Sequence, residues 1–229
     1  MVMAESTYRR VGRCGGRRLD DGLGARWRIF CTTRLGRGET GSVNGHLAIL
    51  LPGRGYGALG PALRLPRLAI EHSGAEVVEI DYGSVPAADD PESWERLYVS
   101  VAEQIGTAVS ERNPSQLTFI AKSLGTIVLA SLPAEVPLPS SVRAVWLTPV
   151  FGRESVRLGA IGKSWPSLLV AGQADQLHEQ QHHETVANAL GAGSLVLPGA
   201  DHMLEVPGNV LATLDGLRAI TESVLELVR

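Results

Sequence analysis

The run Leu117-Thr118-Phe119-Ile120 ends in Ala121-Lys122-Ser123-Leu124-Gly125-Thr126 and passes at once into Ile127-Val128-Leu129-Ala130. The first stretch, β-branched and aromatic, reads as a short buried strand; the second opens a helix. A strand that enters a helix through so tight a turn leaves no room for bulk two residues before or after the Ser, and Ala121 and Gly125 meet that demand. Ser123 then stands clear of the strand. The next backbone N–H, on Leu124, lies where a helix begins, and unpaired donors and the macrodipole there favour a developing negative charge. A Ser that merely caps a helix is written with the same letters, so the rest of the chain has to decide.

Around this stretch, apolar strands alternate with helices. Leu47-Ala48-Ile49-Leu50-Leu51 is apolar throughout rather than alternating, as suits a parallel strand covered on both faces. It runs into Pro52-Gly53-Arg54-Gly55-Tyr56-Gly57, whose glycines let the backbone approach a ligand; no GK[ST] follows and the spacing is not GxGxxG. A helical segment from about Pro61 to His72 is interrupted by Pro66, and Ala75 to Asp81 reads as the next strand. Trp94, Leu97, Tyr98, Val101, Ile105 and Val109 recur at helical spacing between Pro91 and Arg112 and read as a core stripe. Beyond the Ser123 strand come the strands Val142 to Thr148, Ser167 to Gly172 and Ser194 to Pro198. A closing helix runs from about Asn209 to Val228. Right-handed crossovers make of this an α/β domain, a mostly parallel central sheet with helices on both faces.

With 229 residues, 44% of them hydrophobic, the chain is long enough for one substantial domain, placed here at 46–229. No run approaches the roughly 18 apolar residues needed to cross a bilayer, and the start of the chain lacks a signal-type apolar core. Cys14 and Cys31 are the only cysteines and form neither a disulfide framework nor a CxxC pattern, so a cytoplasmic protein is expected. The net charge of −3 is uneven: residues 1–45 carry nine Arg against four acids, and the remainder is acidic. This Arg- and Gly-rich extension contains one convincing strand at 25–33, expected at a sheet edge. It lacks Lys clusters and interleaved aromatics, and no nucleic-acid partner is expected.

The sequence AKSLGT resembles the nucleophile elbow of the α/β-hydrolases, with Ala121 in place of the commoner first Gly. Two later stretches extend the resemblance. Ser167 to Gly172 followed by Gln173-Ala174-Asp175 is similar to the strand and G-x-x-D loop that carries that family's acid, and Gly199-Ala200-Asp201-His202-Met203-Leu204 is similar to its His loop. The resemblance covers about His46 to Arg229. Together LLPGRGYG, AKSLGT, AVWLTP and GADHMLEVPG look like a group of small bacterial α/β-hydrolases with KS-x-G elbows.

It implies a serine hydrolase acting on a small ester, thioester or related acyl compound, with Ser123, Asp175 and His202 as the catalytic residues. The second oxyanion donor is expected in the loop after the first strand, where Pro52-Gly53-Arg54 looks like an HG-x motif with Pro for His. The N–H groups of Arg54 and Leu124 are thus the candidates, with Gly55 and Tyr56 as alternatives to Arg54. No cofactor is needed and no metal is expected. Only about fifteen residues, Phe151 to Pro166, occupy the place where many members insert a lid, so no large cap and a shallow, fairly open site are expected. Acyl transfer to an acceptor other than water would use the same residues, and a ligand-binding protein on the same fold stays open as a non-enzymatic alternative. Lys122, beside the Ser, reads as solvated, with favouring of an anionic substrate as the alternative. His178, His182 and His183 read as residues of a solvated helix without a metal pattern.

Overall fold

The structure, a computed structural model, describes residues 45–229. The N-terminal extension and its expected strand at 25–33 lie outside the described residues. Strands and helices alternate without exception: β1 (His46–Leu51), α1 (Pro61–His72), β2 (Glu76–Glu79), α2 (Pro91–Arg112), β3 (Gln116–Lys122), α3 (Leu124–Ala130), β4 (Ser141–Leu147), α4 (Glu154–Lys163), β5 (Ser167–Gly172), α5 (Gln180–Leu190), β6 (Gly193–Leu197) and α6 (Val210–Val228). All pairings are parallel, in the order β2-β1-β3-β4-β5-β6. The chain leaves β1 toward β2 on one side and returns to place β3 on the other. Between β1 and β3 the winding therefore reverses, and there the following loops diverge and leave a crevice at the carboxyl edge.

Burial on both faces explains the unbroken apolar strands. Leu47, Ile49 and Leu51 of β1 face one core with α2, α3, α4 and α5, whereas Ala48 and Leu50 face a second with α1 and α6. Four helices thus cover one face and two the other.

Local signals set the ends of α2. Asp90 accepts from the Ser93 N–H at 3.0 Å, Pro91 opens the helix, and Asn113 closes it in the left-handed region at φ 43°. The expected break at Pro66 does not occur: α1 continues to His72 with Pro66 buried inside it. Proline forfeits one backbone hydrogen bond but has a helical φ, and burial of its ring against the domain offsets the loss. The short segment between β4 and β5 forms α4, which packs inward through Val156 and Ala160. Gly159 lets it approach α3, since a Cβ there would lie 2.5 Å from the Ala130 carbonyl oxygen. Among the described residues this segment is scaffold, and no cap domain is present.

Candidate active site

The turn after β3 is held in an uncommon conformation. Ser123 has φ 50° and ψ −106°, a region that costs a non-glycine residue about 1–3 kcal/mol and persists only where its surroundings impose it. The surroundings do so: β3 is hydrogen-bonded to β1 and β4, the Ser123 N–H donates to the Leu147 carbonyl at 2.9 Å, and Thr126 Oγ1 donates to the Ser123 carbonyl at 2.6 Å. Gly125 is required by contact, because any Cβ at that position would collide with the Leu51 carbonyl of β1. The elbow is thereby pressed against the strand whose loop is expected to face it.

Asp175 and His202 reach Ser123 from the ends of β5 and β6. His202 Nε2 lies 2.8 Å from Ser123 Oγ, and His202 Nδ1 lies 2.7 Å from Asp175 Oδ2. The other carboxylate oxygen, Oδ1, accepts the Leu177 N–H at 2.8 Å. An ionised carboxylate only accepts, so Nδ1 carries the imidazole proton and Nε2 is left to accept from the Ser123 hydroxyl. Burial works against the charge on Asp175. The hydrogen bond from His202, the Leu177 N–H and the nearby charges of His202 and Lys122 outweigh it and hold the carboxyl below its usual range. The Asp175 side chain is 3% exposed and that of His202 31%, so the acid is sealed and the imidazole meets solvent.

Close backbone contacts position the His202 loop. A Cβ on Gly172 would strike the carbonyls of Ala200 and Asp201, and the Ala174 N–H donates to the Ala200 carbonyl at 2.8 Å. Asp201 ties the turn internally, its Oδ1 accepting the N–H groups of Met203 and Glu205.

The loop after β1 faces the elbow. A Cβ built on Gly53 would come within 3.5 Å of Ser123 Cβ, and the loop is closed by reciprocal hydrogen bonds between Gly53 and Tyr56 that place Arg54 at its tip. Leu124 is the first residue of α3, a position whose N–H has no acceptor within its own helix. Arg54, Ser123 and Leu124 line one cleft of about 570 Å³. Its walls include Trp94, Ile127, Val150 and Leu177, with Arg153 and Glu179 at the polar side.

Three expectations require correction. Lys122 is not solvated: it is 1% exposed, and its ammonium donates to the His202 carbonyl at 2.7 Å and to Thr148 Oγ1 at 3.0 Å. Strand alternation points residue 122 into the α1–α6 core, opposite to the face that β3 shares with α2. Trp94 belongs only partly to the core stripe. Its ring borders the cleft, and Arg153 lies over it at 6.0 Å. Nor is the α5 region uniformly solvated, since His183 is buried with Nε2 2.9 Å from Ser194 Oγ and its ring edge-on to Phe151. Helical spacing alone does not tell a His on the inner face from one on the outer. His178 and His182 are partly exposed, His46 bonds Thr118 Oγ1 at 2.9 Å, and among the described residues no group of three or more His, Cys, Asp or Glu side chains is placed to hold a metal.

No protein-family model and no curated protein matches the chain. Solved structures do match in fold. A lidless α/β serine hydrolase from Xanthomonas campestris has a TM-score of 0.56 at 18% identity, covering 82% of each chain. A predicted CIB-like hydrolase from Thermoplasma acidophilum has 0.60 at 16%, covering 80% of this chain and 88% of its own. The thioesterase domain from the curacin biosynthetic pathway has 0.52 at 13%, covering 79% and 90%. With an all-parallel sheet, helices on both faces and no cap among the described residues, the protein has the α/β-hydrolase fold.

Proposed function

We propose that the protein is a serine hydrolase that cleaves a small ester, thioester or related acyl substrate through an acyl-enzyme on Ser123. The observation that carries this reading is the continuous chain Ser123 Oγ, His202, Asp175, at 2.8 Å and 2.7 Å, on a strained turn that opens into a cleft. Neighbours of the same fold that are described as hydrolases, one of them a thioesterase domain, support it.

In this mechanism His202 Nε2 takes the hydroxyl proton as Ser123 Oγ attacks the acyl carbon. Asp175 keeps Nδ1 protonated and balances the imidazolium. The carbonyl oxygen becomes an oxyanion held by the N–H groups of Leu124 and Arg54, each donor lowering the barrier by about 3 kcal/mol. The imidazolium returns its proton to the leaving alcohol or thiol as the bond to it breaks. Water, deprotonated by His202, then attacks the acyl-enzyme, and the proton passes back to Ser123 Oγ as the acid departs. The apolar walls of Trp94, Ile127, Val150 and Leu177 suit a short acyl chain or a small ring.

The test is hydrolysis of a short-chain nitrophenyl ester together with fluorophosphonate labelling, the modified peptide being located by mass spectrometry. Ser123→Ala abolishes both if the reading is right. Undiminished labelling in that variant removes Ser123 from the role. Among the described residues no cap closes the cleft, which leaves room for an acceptor other than water, and product analysis with alcohols or thiols present separates acyl transfer from hydrolysis.

A further inference from the structure

The layer between the sheet and the α1–α6 pair is apolar, formed by strand residues such as Ala48, Leu50, Ile120, Val145 and Leu147. Lys122 continues this layer, two residues beyond Ile120 on the same strand and in register with Leu147 of β4. Taking an ammonium out of water into such surroundings is expensive unless it is well partnered. Here it has three partners: the His202 carbonyl at 2.7 Å, Thr148 Oγ1 at 3.0 Å and the Tyr56 ring, whose centroid is 4.6 Å from Nζ. Burial pushes its pKa down to about 8 against the pull of Asp175 and Asp201, so it is still a cation at neutral pH.

Those partners lie on three separate segments that meet at the site. Thr148 follows β4, Tyr56 closes the loop that faces the elbow, and His202 carries the imidazole. The other bonds of the His202 loop act on Gly199, Ala200, Asp201, Met203, Leu204 and Glu205. Among the described residues, the bond on the His202 peptide itself comes from Lys122. An apolar residue would fill the layer at lower cost, so packing gives no reason for an ammonium there.

We propose that Lys122 is a positioning residue: its buried ammonium grips the His202 carbonyl, and through it fixes the imidazole where Nε2 meets Ser123 Oγ while Nδ1 meets Asp175. This rests on the proposed role of Ser123 and His202. Lys122 itself touches no substrate and takes no part in proton transfer.

The experiment uses the full chain. Lys122→Met keeps an unbranched side chain one atom shorter and fills most of the layer without charge. Turnover of the nitrophenyl ester falls about tenfold to a hundredfold, as expected for a misplaced catalytic group, with KM little changed. The melting temperature is equal or higher, because a buried cation has been replaced by an apolar group. In proton NMR the far-downfield signal of the His202 Nδ1–H, present in the parent, is lost. A folded Lys122→Met protein with parental turnover and an intact signal overturns the proposal. So does a loss of labelled active sites at unchanged turnover per labelled site, which would mark a purely structural residue. Should Lys122→Met fail to fold, Thr148→Val removes one acceptor of the ammonium; a lower kcat at unchanged KM supports the proposal and an unchanged kcat overturns it. If the parent protein neither hydrolyses esters nor takes the fluorophosphonate, the functional reading fails, and the NMR comparison then decides the positioning claim by itself.

Discussion

Among the described residues, two histidine–serine pairs have almost the same length. His202 Nε2 stands 2.8 Å from Ser123 Oγ at the carboxyl edge of the sheet, and His183 Nε2 stands 2.9 Å from Ser194 Oγ between α5 and β6. Everything around the two pairs differs. His202 Nδ1 meets a carboxylate, whereas His183 Nδ1 is buried and has no hydrogen-bond partner among the described residues. Ser123 sits on a strained turn beside the start of a helix; Ser194 lies within an edge strand. The His183 imidazole is pushed down to about 4, first by burial and then by His178, with Glu184 opposing. In the proposed reading, an imidazole within hydrogen-bond distance of a hydroxyl is therefore only one part of an activated nucleophile. That reading also requires an acid to set the tautomer, an exposed turn and adjoining N–H donors, which the surroundings of Ser123 offer and those of Ser194 do not.

The sharpest way to break this comparison is to exchange the two serines for alanine. Ser123→Ala is expected to lower kcat by about 10⁵ or more, while Ser194→Ala leaves ester turnover and probe labelling at the parental level. Equal losses in both variants would mean that the two pairs are not functionally distinct. Next in size, Asp175→Asn should give His202 the partner that His183 lacks in the wrong form, an amide that also donates. A fall in kcat of about 10⁴ with little change in melting temperature is expected; a loss below tenfold would show that the carboxylate does not set the tautomer.

The third effect is on stability. His183 titrates near 4 in the folded chain and near 6.5 when unfolded, so between those values the unfolded chain binds the extra proton. Its share of stability is complete above pH 6.5 and is lost as pH falls toward 4, by up to about 3 kcal/mol. Denaturant titrations from pH 7 to 4 should show that slope flatten in His183→Leu; an unchanged slope assigns it to other groups. The smallest effect concerns the cleft, which Ser123 lines and Ser194 does not. Among the described residues Arg153 has no carboxylate within ion-pair distance, and Arg153→Gln should lower kcat/KM about twofold to fivefold for a carboxylate-bearing ester but not for a neutral one. Equal change on both esters would remove Arg153 from substrate selection.

Much of this was legible in the chain. Unbroken apolar runs marked β1, β3 and β5 because each is covered on both faces, and β5 matches the expected Ser167 to Gly172. The helix between Pro91 and Arg112 was bounded by residues that cap helices by local chemistry. Pro66 does not break α1, because local propensity does not count what burial offsets. Lys122, Trp94 and His183 escape a reading of the sequence for a related reason: each has a type or spacing that reads one way along the chain, while its surroundings come from segments far away in sequence.

By itself the sequence determined the alternation of strands and helices, the tight turn at Ser123 and the order in which hydroxyl, carboxylate and imidazole appear. Those depend on neighbours a few residues apart, through apolar periodicity, capping and the sterics of glycine. The tertiary structure alone decided that an ammonium lies behind the His202 loop, that His183 is buried against Ser194, and that Trp94 and Arg153 border the cleft. Each of these is a meeting of groups from separate elements, brought together only when parallel pairing builds the sheet and the helices pack on it.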